Sequence, residues 1–283
     1  MISITIPTYN NLDYLKCTIN SIKKNSVLNN FEILLHINEG SDGTLEYAKK
    51  NNYTYTYSEK NIGLCSAINR ICKIANYDYL LYSHDDMYFC PYWDEILEKE
   101  IKLLKNNLFY LSATMIEVNS AHISFNCGSS LSEFDEAKLL NNFKQLSFYD
   151  HQGSHFAPHL VHKEIWDKVG GFSEEFNPGM GSDPDFNMKL WNEGIRIFKG
   201  INDFRVYHFS SMTTRKKTGL IKNKGDLTFL KKWGFSTKFF KKYFLRSKSF
   251  YDGKLSDPNK NFFFLFELLL CKLKKFYINI LSL

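Results

Sequence analysis

The stretch "YSHDDMYF" (82–89) sets an imidazole and two carboxylates side by side: His84, Asp85 and Asp86. They end the apolar run "YDYLL", and a strand that finishes on adjacent like charges needs something to offset their repulsion. A hard divalent cation would do this, because Mg2+ and Mn2+ take carboxylate oxygens and Mn2+ also accepts imidazole. The plainer reading is a solvated turn whose aspartates cap the next segment. A second acidic cluster, "GSDPDF" (181–186), sets Asp183 and Asp185 around Pro184, which suits a first helical position. Both carboxylates could simply cap that helix. A helix N-terminus also favours the ionised carboxylate, the form a general base needs.

These groups need a frame. "ISITIP", "FEILLHIN", "YTYTYS" and "YDYLLYS" read as strands, and the second is nearly continuous in apolar residues, as in a parallel strand buried on both faces. Helical patterns run from Leu12 to about Asn25, from a Thr44 cap to Lys50, and after Gly63. Strands alternating with helices imply a mostly parallel, doubly wound α/β sheet, in which ligands bind beyond the carboxyl ends of the strands. Three polar clusters, "PTYN", "NEGSD" and "HDDM", fall at such ends and converge on one edge. Further on, strands are expected near Phe109–Ile116 and Arg205–Phe209, and helices over Lys163–Val169 and Asp185–Glu193, the last stopped by Gly194.

In order and spacing, "IPTYN" (6–10), "NEGSDGT" (38–44), "NIGLCSAIN" (61–69) and "HDDM" (84–87) together resemble the family-two nucleotide-sugar glycosyltransferases, which have the GT-A fold. "GGF…GMGSDPDF" (170–186) and "RVYHF" (205–209) fit too, so the resemblance covers roughly residues 1 to 215. It implies a nucleoside-diphosphate donor, a UDP-sugar above all. It also implies a divalent cation, Mn2+ or Mg2+, to stabilise the departing diphosphate. Asp86 then takes the metal-ligating place and Asp85 lies near the ribose, while His84 stands where the family has its first acidic residue. For His84, three roles stay open: a ligand, a donor to ribose or phosphate, or a tolerated substitution. Pro7, Thr8, Tyr9 and Asn10 would meet base and ribose. Glu39, in place of the usual aspartate, would read the uracil, with Ser41 in the same loop. Asn61 and Gly63 would lie against the nucleotide, Gly63 through close backbone approach. Asn69 joins the nucleotide set or cross-links helix to loop. Asp183 is the candidate general base of an inverting transfer, with Ser182 in place of the family's glutamate. His208 matches a metal-completing histidine, against the alternative of a satisfied structural residue. Arg215 and Lys216 would close over the diphosphate, or form a solvated run. "HQGSHFAPH" (151–159) lacks the cysteine or carboxylate spacing of a zinc site and reads as a loop lining the acceptor side.

Charge divides the chain. Residues 215–283 carry 17 Lys and Arg against 4 Asp and Glu, while the preceding residues hold 19 against 26. We therefore expect a catalytic domain over 1–215 and a basic, aromatic-rich helical extension over 216–283. In the run "NFFFLFELLLCKLKKFYINILSL" the apolar core, 262–271, is about ten residues and is interrupted by Glu267, too short to span a bilayer. It reads either as an interfacial helix facing anionic headgroups or as a segment packed on the body or a second subunit. No recognised nucleic-acid motif accompanies it, and no nucleic-acid partner is expected. Six cysteines without a CxxC pair, and a start without a basic or apolar leader pattern, suggest a cytoplasmic protein, peripheral at a membrane if at all. The acceptor would be a glycan or lipid-linked sugar. The rival reading is a non-catalytic nucleotide-sugar or glycan-binding protein, suggested by His84, Glu39 and Ser182.

Overall fold

The computed structural model describes residues 1–120, 122–209 and 224–281. Strand β1 (Ile2–Tyr9) buries both faces, Ile4 and Ile6 on one and Ser3 and Thr5 on the other, as an inner strand of a covered sheet must. It runs parallel to β2 (Phe31–Asn38) and β4 (Tyr79–Tyr82), and β2 runs parallel to β3 (Thr54–Ser58). The crossovers are α1 (Leu12–Lys24), α2 (Thr44–Lys50) and α3 (Leu64–Cys72). Thr44 is the first residue of α2 rather than its cap. Gly43 takes the left-handed cap position at φ 91°, and the Thr44 hydroxyl donates to Asp42.

The sheet continues with β5 (Met87–Phe89), β6 (Phe109–Glu117), β7 (Ile123–Ser124), β8 (His151–Gln152), β9 (His159–His162) and β10 (Ile197–His208). Its main path is β3-β2-β1-β4-β9-β6-β10-β5. Strand β9 is antiparallel to both β4 and β6, and β10 is parallel to β6. It follows that β6 and β10 point the same way as β1 and β4. The carboxyl ends of β1, β2, β4, β6 and β10, and the amino end of β9, all lie toward one edge. This is the mostly parallel α/β architecture expected, with its polar strand ends together.

Four local features differ from the sequence reading. The expected strand at Arg205–Phe209 is the last part of a longer one, because β10 absorbs "NDF" in a bulge that sets Ile201 and Arg205 against the consecutive Ala113 and Thr114. The 151–159 segment is not all loop, since it contains β8 and begins β9. Helix α4 (Trp93–Leu104) occupies a stretch for which the sequence reading offers no element. Helices α5 (Glu136–Asn142) and α6 (Lys163–Val169) precede α7 (Ser182–Asn192), which begins before Pro184. Gly181 turns the chain at φ 86°, and Pro184 then falls in the first turn, where a missing N–H leaves no hydrogen bond unmade.

Helices α8 (Lys224–Trp233), α9 (Thr237–Tyr243) and α10 (Phe262–Leu281) close the chain. Phe229, Phe240, Leu245 and Leu255 share one core with Ile4, Leu34, Leu81 and Phe198, so the segment through residue 255 packs into the body of the fold.

Candidate active site

The turn at His84–Asp86 is held down by α1. The Thr18 hydroxyl donates to the Asp85 carbonyl at 2.9 Å and accepts from the Met87 N–H at 3.1 Å. Antiparallel pairing of β5 with β10 then sets His208 opposite Met87. His208 Nε2 comes within 3.4 Å of Asp86 Oδ1, and His84 Nδ1 within 3.9 Å of the same oxygen. One ligand atom from each of His84, Asp86 and His208 can be chosen so that all three lie within 4.8 Å of one another.

Electrostatics separate the two carboxylates that the sequence set side by side. Burial pushes the Asp86 carboxyl up, but contact with His208 outweighs it and holds the group below its usual value. Burial, and then the charge of Asp86, raise Asp85 to about 7, although Asn11 Nδ2 donates to it at 3.1 Å. Burial lowers His84 to about 4, so its imidazole is neutral and has a lone pair to offer. For His208, burial opposes charge, but the carboxylates of Asp86 and Glu117 prevail and raise it to about 10. Glu117, at the end of β6, meets His208 Nδ1 at 2.5 Å and fixes the ring so that Nε2 faces Asp86. That carboxylate–imidazole arrangement is how proteins orient a ligating histidine. The buried Nε2 has no hydrogen-bond partner in the described structure, and one carboxylate with two imidazoles is a donor set that Mn2+ accepts and Mg2+ takes less readily. These residues fit a divalent cation.

The neighbouring strand ends carry the rest. Asn10 and Glu39 both adopt left-handed backbone, φ 47° and 59°, at the ends of β1 and β2. Asn10 bridges the two loops by donating to Glu39 Oε2 at 3.1 Å and accepting the Ser41 N–H at 3.0 Å. Tyr9 stands beside them, its hydroxyl pushed up by burial and by Glu39. Pro7 and Thr8 lie buried within β1. Asn61 is exposed and accepts the Gly63 N–H at 2.9 Å. The space that a side chain at Gly63 (φ 84°) would fill is taken by Asn177, whose Oδ1 accepts the Cys65 N–H at 3.0 Å. Asn69 does cross-link helix to loop, for its amide donates to the Phe172 carbonyl at 2.8 Å and accepts the Phe172 N–H at 2.9 Å. Arg215 and Lys216 fall outside the described residues.

Asp183 sits in the first turn of α7, and the expectation that the helix end would favour its charge does not hold. Burial dominates and raises it to about 7, and its Oδ1 is enclosed without a hydrogen-bond partner. Tyr82, which the sequence reading did not single out, lies between it and the cation group, beside His159 of the stretch which that reading set on the acceptor side. The Tyr82 ring is 5.5 Å from that of His84 and 5.1 Å from that of His159, and its buried hydroxyl senses the charges of both Asp183 and Asp86. Neither the Tyr82 hydroxyl nor the His159 ring nitrogens have hydrogen-bond partners among the described residues. Their placement rests on the register Tyr82↔His159, a pairing of distant segments that no local pattern announces.

Comparison with known proteins agrees with this frame. A search of the curated proteins finds no match. Among solved structures, S. aureus TarS superposes with a TM-score of 0.54 at 18% identity over 84% of this chain and 45% of that one. TarS 1-349 in complex with UDP-GlcNAc gives 0.54 at 16% over 85% and 74%. GalNAc-T7 with UDP, GalNAc and Mn2+ gives 0.56 at 15% over 82% and 50%, so the chain spans only half of that protein. At these identities the likeness is one of fold, the GT-A fold. The model for glycosyl transferase family 2 matches residues 3–159. A match over more than half of the chain, on the strands that carry this edge, makes the protein a glycosyltransferase of family 2.

Proposed function

We propose that the protein transfers a sugar from a nucleoside-diphosphate donor, a UDP-sugar, to a hydroxyl of a glycan or lipid-linked acceptor, with inversion at the anomeric carbon. The observation that carries the reading is the cluster of His84, Asp86 and His208 beside the Asn10–Glu39–Ser41 loops, a cation-fitting group next to a polar rim at the carboxyl ends of parallel strands. Base and ribose lie along Tyr9, Asn10, Glu39, Ser41 and Asn61, with Asp85 turned toward the ribose. Asp86, His208 and His84 hold Mn2+ or Mg2+, which when bound supplies positive charge to the departing diphosphate. Asp183 removes the proton of the acceptor hydroxyl as that oxygen bonds to the anomeric carbon and the bond from that carbon to the diphosphate oxygen breaks. The proton ends on the Asp183 carboxylate. The unpartnered Tyr82 hydroxyl and His159 imidazole face the sugar hydroxyls between donor and base. The six cysteines, all free and four of them buried, suit the reducing cytoplasm.

A screen of UDP-, GDP- and TDP-sugars for hydrolysis and transfer, with Mn2+ and with Mg2+, tests the proposal. Turnover should be confined to UDP-sugars, cease with EDTA, and fall by at least about 100-fold in Asp86→Ala. Activity on GDP- or TDP-sugars alone would overturn the uracil assignment. Tight nucleotide binding without turnover on any donor would overturn the transfer itself.

A further inference from the structure

Helix α10 touches the body along one face only. Phe264 is buried, with its ring 4.9 Å from that of Phe239 and 5.0 Å from that of Tyr243. Glu267 pairs with Lys242 at 2.5 Å, and Cys271 meets Ser236 at 3.8 Å. On the opposite face Phe262, Phe266, Leu269, Leu273, Phe276 and Ile280 recur at the spacing of a single helical stripe, and each is at least half exposed. Phe262 and Phe276 reach 74% and 66% exposure. Turning by about 100° per residue places the exposed Lys272 and Lys274 one on each flank of that stripe.

We infer that α10 is a membrane-docking helix that lies in the plane of an anionic lipid surface, its apolar stripe among the acyl chains and its flanking lysines at the headgroups. Charge complementarity selects this occupant. Beyond Asp257 the chain holds four lysines, Lys260, Lys272, Lys274 and Lys275, against the single acid Glu267, which is already paired with Lys242. An anionic surface therefore attracts the lysines that flank the stripe, which orients the molecule with the apolar face of α10 against the lipid. Spanning is excluded for this helix, since no described helix is long and apolar enough to cross a membrane. The inference is independent of the donor site and stands or falls apart from it.

The test is sedimentation of the full chain with phosphatidylcholine vesicles, pure or containing about one third phosphatidylglycerol. We expect association with the anionic vesicles at least about tenfold stronger than with the neutral ones, weakened by salt. The double variant Leu269→Glu/Leu273→Glu should lose about tenfold or more, and Lys272→Glu/Lys274→Glu should lose the preference for anionic lipid. Because these side chains are exposed, thermal unfolding should be unchanged in both. Hydrogen exchange of the wild-type chain gives a readout without a variant, with residues 262–280 gaining protection when vesicles are added. Failure of the wild type to bind vesicles, or undiminished binding by the leucine variant, would overturn the inference. So would a dimer in light scattering that the leucine variant dissolves while neither protein binds lipid, which would make a second copy the occupant.

Discussion

Asp183 meets two demands that pull in opposite directions with pH. Its carboxyl is raised by burial from the usual 3.8 to about 7. A general base works ionised, so kcat/KM should rise about tenfold per pH unit below 7 and level off above it. A flat profile from pH 5 to 8 would remove Asp183 from that role. Stability runs the other way. A carboxyl whose value is raised by folding contributes fully below its unfolded value and loses that contribution as pH climbs through the folded one. Asp183→Asn, which cannot ionise, should therefore abolish turnover yet unfold at a higher temperature than the wild type, by a margin wider at pH 8 than at pH 5. Glu117 calls for a different measurement. Glu117→Gln keeps an acceptor near His208 Nδ1 but removes the charge, and Mn2+ affinity by titration calorimetry should fall about 10- to 100-fold. Equal affinity would make Glu117 a bystander. Glu117 and His208 are 91 residues apart and meet only because β6 and β10 pair. The sequence exposes the two ends of such a contact but not the register that joins them, whereas "HDDM" at a strand end is legible on its own.

At the scale of elements, α7 is positioned by a helix that follows it in sequence. Asp185 is fully buried and accepts from Trp233 Nε1 at 2.8 Å, from Lys232 Nζ at 2.9 Å, and from the Ser173 hydroxyl at 2.6 Å. These contacts staple α8 and the 170–176 loop to the turn that carries Asp183. Removing a buried partner of this kind leaves several donors unsatisfied and costs about 3–5 kcal/mol. Asp185→Ala should accordingly lower Tm by on the order of 10 °C and reduce kcat more than donor affinity. Lys232→Met should cost far less, because two other donors still reach the carboxylate. A Tm for Asp185→Ala within a degree or two of wild type would show that the staple contributes little. The strand–helix alternation up to β4 could be read from periodicity because each crossover is local. In the second half β6 and α6 fall where the pattern set them, but β8, β9 and the bulged β10 are defined by pairings rather than by pattern. Pro184 also pointed to a later start for α7 than Gly181 allows.

For the whole molecule, the family match ends at residue 159, and one member of the cation cluster, His208, lies beyond it. The core reaches further still. Charge alone suggests a boundary at 215, yet Phe229, Phe240, Leu245 and Leu255 lie in the same apolar core as the sheet and are nearly inaccessible. At roughly 1.5–3 kcal/mol for each fully buried large side chain, these four contribute on the order of 8 kcal/mol. That is comparable to the entire stability of a typical folded domain. We therefore propose that the folding unit ends near residue 257 and that the separable appendage is α10, which buries Phe264 but leaves its opposite face exposed. A chain cut after Asp257 should fold, retain donor hydrolysis and lose at most a few kcal/mol from the uncovered Phe239 and Tyr243. A chain cut after Phe209 keeps every proposed ligand of the cation and the base, but it should be insoluble or molten, with no cooperative unfolding transition. Cooperative unfolding of that shorter chain would restore the boundary at 215 and make residues 224–255 a covering layer rather than part of the core.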